Sequence, residues 1–210
     1  MSIVRIAEAE VGNQKQAVRA AVTGFLADEQ PSRLVVVGAD AAGADAFLAQ
    51  VLAVLMLTER LDVEVGYVAP AATRATRVHG LPHGREAAEL AEQGSARAVP
   101  LIRDDAATVL VGRARHLGGD GAKLHGETYV DNTRLFTGEV RGVEIEPLAH
   151  APGLRARLIR PLRPGGWHEG RAAQTGGTNI VVEREGVLTT RTLKRSTFYR
   201  HHVDMNLVCP

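Results

Sequence analysis

Cysteine is almost missing from this chain. Cys209, one residue from the C-terminus, is the single example among 210 residues, which excludes an internal disulfide and suits a reducing compartment. Aromatic residues amount to 4%, too few for a platform on which bases could stack, so no nucleic-acid partner is expected. Neither sign of charge dominates: 25 basic and 24 acidic side chains leave a formal net charge of +1, and no global field steers the chain toward a polyanion or a membrane. Long hydrophobic runs are lacking too. The longest, Phe47 to Leu57, is interrupted by Gln50 and falls well short of the about 20 residues that span a bilayer. The N-terminal stretch Met1 to Glu8 has no apolar segment of signal-peptide length. These absences together lead us to expect a cytoplasmic protein.

What is present is a strong alternation of elements. Leu34-Val35-Val36-Val37 reads as a strand buried on both faces of a parallel sheet. Gly38-Ala39-Asp40-Ala41-Ala42 follows as a turn, and Ala46 to Leu57 as an apolar helix. Such a strand–turn–helix corner aims backbone N–H groups and a helix N-terminus at one spot, a geometry that suits a phosphate; an ordinary βα corner has the same pattern. Ile3, Val4 and Ile6 suggest a short first strand, and Val18, Val22, Phe25 and Leu26 share one face of a helix starting near Gln14. Asp62 to Val68 alternates as a strand. Ala71 to Val78 reads as a second turn leading into a short helix or loop, and Gly84 to Gly94 as a further helix. This βαβα order implies a parallel sheet.

Near Ala98 the pattern changes to short strands separated by turn signals. Val99 to Ile102, Val109 to Val111, Lys123 to Val130, Glu139 to Ile145, Leu154 to Ile159, Thr178 to Glu183, Gly186 to Thr192 and Val203 to Val208 are strand candidates. Asp104-Asp105, Gly118-Gly119-Asp120-Gly121, Asp131-Asn132, Thr137-Gly138, Pro152-Gly153 and Gly176-Gly177 read as turns. The expected architecture is an α/β domain over residues 1–98 followed by a β-rich, β-sandwich-like domain over residues 99–210, with a loop from Pro161 to Gly170.

In order along the chain these stretches resemble the diacylglycerol kinase catalytic-domain family, relatives of the NAD kinases. There a hydrophobic strand runs into Gly-Gly-Asp-Gly-Thr and a helix, where this chain has Gly38-Ala39-Asp40-Ala41-Ala42. The family's Pro-x-Gly-Thr-Gly-Asn-Asp loop has its counterpart at Pro70-Ala71-Ala72-Thr73-Arg74, and its closing Asp-Gly-Glu strands at Glu185-Gly186-Val187. The family's opening Asn-Pro-x-Ser-Gly strand has no match, so the chain is expected to begin at the family's second strand. The resemblance implies ATP lying across Gly38 to Ala42 and Pro70 to Arg74, with Mg²⁺ bridging its phosphates. Asp40 would order the loop or the metal, Thr73 would line the second turn, Arg74 would contact phosphate, and Glu185 would act as base toward a lipid hydroxyl.

The departures from the family bear on activity. Ala39, Ala41 and Ala42 put methyl groups where bare backbone and a Thr hydroxyl would meet phosphate. The second loop has lost its glycines and its Asn-Asp, and Val187 stands where the closing Glu belongs. Phosphoryl transfer depends on positioning and charge stabilisation, so the expectation is a homologue with weak or no kinase activity. Such a chain would be retained to bind a ligand, a second copy of itself or a partner kinase. The alternative is an active ATP-dependent lipid kinase.

Four other features carry weaker signals. Gly118 to Gly121 matches the family motif in composition but precedes a strand, so a hairpin turn is expected. Asp104-Asp105 could hold a metal with Asp40 or Asp131, or serve as Asx turn residues; no metal ligand set is assigned. His201-His202, as neighbours in a strand, would face opposite ways, and the remaining histidines have no ligand spacing. Leu154 to Arg163, with Trp167, is basic and partly apolar, suited either to an anionic lipid surface at the membrane periphery or to the solvated face of an edge strand. Lys194 to Arg200 is a second basic, aromatic cluster.

Overall fold

The structure is a computed structural model that describes residues 2–161 and 165–210. Strand β1 (Ile3–Ala7), helices α1 (Glu8–Val11) and α2 (Lys15–Asp28), β2 (Arg33–Val37), α3 (Ala44–Leu57), β3 (Glu64–Val68), α4 (Arg74–His79), α5 (Arg85–Gln93) and β4 (Ser95–Val99) come first. Next are β5 (Ile102–Asp104), β6 (Val109–Leu110), β7 (Ala114–Gly118), β8 (Leu124–Val130), β9 (Thr133–Val140) and β10 (Gly142–Pro147). The last are β11 (Leu154–Leu158), β12 (His168–Gly170), β13 (Ala172–Arg184), β14 (Val187–Leu188), β15 (Leu193–Arg200) and β16 (Met205–Cys209).

These form two sheets. The first has the order β1-β2-β3-β16-β4; β1, β2, β3 and β16 run parallel, and β4 pairs antiparallel with β16. The chain thus leaves this sheet at Val99 and re-enters it at Met205. Leu34, Val35 and Val36 are buried on both faces of β2, as an unbroken β-branched run requires in a covered parallel sheet. Helix α3 is apolar almost all round, with Phe47, Leu48, Val51, Leu52 and Leu55 inaccessible or nearly so. It therefore lies inside the molecule rather than on its surface.

The second sheet is antiparallel and has eleven strands among the described residues, with the path β12-β11-β10-β7-β13-β15-β5-β6, β8 and β14 paired to β13, and β9 paired to β8. Its core gathers Leu124, Val143, Ile145, Leu154, Ile180 and Phe198. The first core also takes in Leu101, Val109 and Val111, so the segment around β6 packs against the α/β layer. This join positions the candidate site.

Several turn assignments need correction. Gly118 to Gly121 is a 3-10 turn, not a hairpin: β7 and β8 both pair with β13, along residues 180–184 and 173–177 respectively, so the turn carries the chain along one strand's edge. Gly176-Gly177 lies inside β13 at a register shift, and Thr137-Gly138 inside β9 opposite Glu127 and Gly126. Glycine breaks or bends a strand depending on whether a partner strand continues past it; here one does. His201-His202 follows β15, and leaving the strand lets the two rings approach to 4.2 Å between centroids. Of the loop expected from Pro161 to Gly170, His168–Gly170 is strand β12, and residues 162–164 lie outside the described part.

Candidate functional site

Parallel packing brings the ends of β1, β2 and β3 to one edge of the first sheet, and the two turns singled out from the sequence leave from there. Gly38 N–H donates to Val68 O at 3.0 Å, tying the end of β2 to that of β3. Asp40 is exposed, and its Oδ1 accepts from Ala42 N at 2.8 Å and Gly43 N at 2.7 Å. This is an Asx turn that starts α3. Ala39, Ala41 and Ala42 are exposed around it. The Ala39 N–H donates to Glu8 Oε2 at 2.9 Å. Glu8 is buried at the head of α1, and its other carboxylate oxygen comes so near Gly43 that a methyl group there would lie 2.7 Å away. Chain-borne carboxylates therefore answer the N–H groups of Ala39, Ala42 and Gly43.

The second turn, Pro70 to Thr73, is exposed up to Ala72 and then buried. Thr73 is the N-cap of α4. Its hydroxyl accepts from Thr76 N at 3.1 Å while Thr76 Oγ1 accepts from Thr73 N at 2.9 Å, a reciprocal capping box. The hydroxyl is thereby committed to the helix. Arg74 opens that helix, and its Nη1 lies 3.4 Å from Glu146 Oε1 across the join between the sheets.

The residue that links both turns to the second sheet is Asp45, in the first turn of α3. Buried among apolar neighbours, it accepts from Tyr67 Oη at 2.8 Å and from Ala75 N at 3.1 Å. Burial first, and then the Asp45 carboxylate, push the Tyr67 phenol well above its ordinary pKa, which keeps it a proton donor. Glu185, at φ 48° in the hairpin between β13 and β14, turns its carboxylate inward to accept from Val111 N (2.8 Å), Gly112 N (2.9 Å) and Arg113 N (3.2 Å). Burial raises its pKa to about 7 against the opposing pull of those N–H groups, and the Asp45 charge adds to the rise.

Gly112 is where these groups converge. A methyl group on its Cα would lie 2.7 Å from Glu185 Oε2, 2.8 Å from Arg74 Cβ and 3.0 Å from Asp45 Oδ2. The structure thus gathers Arg74, Thr73 and Glu185, with Asp45 and Gly112, at the join. It leaves Asp40, Ala41 and Ala42 at the exposed rim of the first turn, where Asp40 holds its own loop. Asp45 had one sequence signal, a lone acid entering an otherwise apolar helix. Glu8 and Gly112 had none, because their roles depend on which strands become neighbours.

The other candidates are answered locally. Asp104 Oδ1 accepts from Ala106 N and Thr108 N, both at 2.9 Å, and its Oδ2 pairs with Arg184 at 2.5 Å. No group of three acidic, imidazole or thiol side chains suited to a metal is gathered among the described residues. In the basic stretch, Arg155 pairs with Glu146 at 2.8 Å and Arg157 with Glu144 at 2.7 Å. Both guanidinium groups also stack on Trp167, so their charge is balanced across β10 and β11. No helix among the described residues is long and apolar enough to cross a membrane.

No protein-family model matches the chain, and no curated protein is similar in sequence. Solved structures are similar in fold. A provisionally assigned diacylglycerol kinase from Bacillus anthracis str. Sterne superposes with a TM-score of 0.73 at 8% identity, over 100% of this chain and 97% of the other. A diacylglycerol kinase from the same strain gives 0.67 at 9% identity over 94% and 83%. An NAD kinase from Archaeoglobus fulgidus in complex with ATP gives 0.56 at 10% identity over 99% and 93%. The architecture is that of the diacylglycerol kinase and NAD kinase-like fold: a parallel α/β layer joined to a large antiparallel sheet.

Proposed function

We infer that this chain is a diacylglycerol kinase-like homologue that has kept the fold as a ligand- or partner-binding protein and performs little or no phosphoryl transfer. The observation that carries this reading is the occupation of the first turn by the chain's own carboxylates. Glu8 sits on the Ala39 N–H and Asp40 on those of Ala42 and Gly43. A phosphate arriving there meets anions where free donors are needed. At a separation of 4 Å and an effective dielectric of about 20, a unit charge facing Glu8 is repelled by about 4 kcal/mol. The methyl groups of Ala39, Ala41 and Ala42 occupy the same rim. These residues do not fit an ATP triphosphate with Mg²⁺.

One observation favours the alternative, an active ATP-dependent lipid kinase. Glu185 is a buried carboxylate with a pKa near 7 beside the stem of Arg74, the range in which a general base for a lipid hydroxyl works best. Its three backbone donors hold it to the 111–113 loop, which supports a structural role more strongly. Titration calorimetry with millimolar Mg·ATP, together with incubation of radiolabelled ATP and mixed lipid acceptors, separates the two readings. The expected results are no nucleotide binding and no labelled lipid. A phosphorylated product lost in Glu185→Gln would establish the kinase instead.

A further inference from the structure

A cleft of about 370 Å³ opens along the alanine-lined face of α3, between α2, the β5–β6 turn and the β13–β14 hairpin. Its walls are mostly aliphatic, with Ala49, Ala53, Leu57, Ala107 and Val187 among them; Glu185 also borders it, its carboxylate turned onto the N–H groups of Val111, Gly112 and Arg113. The small alanines on α3 leave the trough, and the hairpin forms its far wall. Large apolar side chains are seldom left open to water without a reason when they cluster. Leu57 is 60% exposed and Val187 62%, both at this cleft, with Leu188 at 54% next to it in the chain. One rim carries Lys15 and Arg19, one helical turn apart on α2 and exposed. Neither is in a salt bridge among the described residues, whereas Arg184 on the opposite wall is paired with Asp104.

The geometry points to a binding site for a single-chain aliphatic carboxylate, its tail in the trough of α3 and its head group at Lys15 and Arg19. The volume lies in the range of small-molecule sites, about 300–1,000 Å³. The walls include no aromatic ring to receive a planar ligand, so a flexible alkyl chain matches their shape. Two cations on flexible stems, rather than a cluster of backbone N–H groups, suit one negative charge at the mouth. Exposed apolar surface at the rim gives the tail a place to enter. The inference names a ligand class for the ligand-binding reading above and rests on that reading.

The test is titration calorimetry of the whole chain with dodecanoate below its micelle concentration. Saturable binding at one site is expected, with decanoate roughly tenfold weaker because two methylenes fewer are buried. Ala53→Phe fills the trough and should abolish binding. Lys15→Glu/Arg19→Glu, at exposed positions that leave the fold intact by circular dichroism, should weaken dodecanoate about tenfold and leave uncharged decanol unchanged. Absence of saturable binding to the wild type, or wild-type affinity in Ala53→Phe, overturns the inference. So does a wild type that binds an acidic amphipathic peptide but not dodecanoate, which would make the cleft a protein-docking groove. Radiolabelled ATP with mixed lipid acceptors, run on the same sample, reports on the kinase reading: a phosphorylated product would defeat the non-catalytic reading and leave the dodecanoate isotherm standing.

Discussion

Adding one methyl group at Gly112 should disturb the join between the two sheets. A Cβ at that position would lie 2.7 Å from Glu185 Oε2, 2.8 Å from Arg74 Cβ and 3.0 Å from Asp45 Oδ2. The first and third of these atoms cannot easily retreat, because Glu185 is held by three backbone N–H groups and Asp45 by Tyr67 and Ala75. Overpacking of this kind costs about 1–3 kcal/mol. For a chain of this length each kcal/mol lowers the melting temperature by about 2–4 °C. The same substitution at Gly24, inside α2 with nothing within 4 Å of the added atom, should raise stability by about 0.5–1 kcal/mol, since alanine is the better helix former. Urea denaturation and thermal melts followed by circular dichroism would compare the two variants with the wild type. If Gly112→Ala is as stable as the wild type while Gly24→Ala behaves as expected, the crowded arrangement of Glu185, Asp45 and Arg74 is wrong.

Removing the Glu8 side chain with Glu8→Ala leaves the Ala39 N–H without its partner and should destabilise the fold by about 1–3 kcal/mol in urea, with Glu8→Gln milder because an amide oxygen can still accept. Glu185 should make stability pH-dependent in a direction unusual for a carboxylate. Its folded pKa is raised to about 7 from 4.5, so its contribution is fully present below pH 4.5 and is lost as pH rises through 7. Stability measured from about pH 5 to 8 should therefore fall in the wild type relative to Glu185→Gln, and parallel profiles would count against the burial of this group. His116 acts oppositely. Burial lowers its pKa to about 3, and its ring bonds to Thr175 Oγ1 at 2.6 Å and Ser196 Oγ at 3.0 Å. Its contribution is present above pH 6.5 and fades as pH falls toward 3, and nuclear magnetic resonance should show a neutral imidazole down to about that pH.

The regularities visible in the chain were those that depend on near neighbours. Leu34 to Val37 had to be a covered strand, since four consecutive apolar residues, three of them β-branched, have no wet face to offer. The βαβα order required parallel strands because each helix carries the chain back across the sheet, as β1, β2 and β3 show, whereas β4 joins antiparallel. Short strands with turn residues announced the antiparallel half, though the Thr137-Gly138 and Gly176-Gly177 signals were misread because a paired strand can run straight through a glycine. The likeness to a nucleotide-binding fold was legible at Gly38 to Ala42 as a worn motif. Only the folded chain decided what fills that turn and where the charges go. Glu8 reaches Ala39 because β1 lies beside β2, Glu185 meets Gly112 because β13 pairs with β7, and both come to Asp45 because α3 packs against β6. Glu8 and Ala39 stand 31 positions apart in the chain, and Gly112 and Glu185 73. Their partners are selected by packing, which no local spacing encodes.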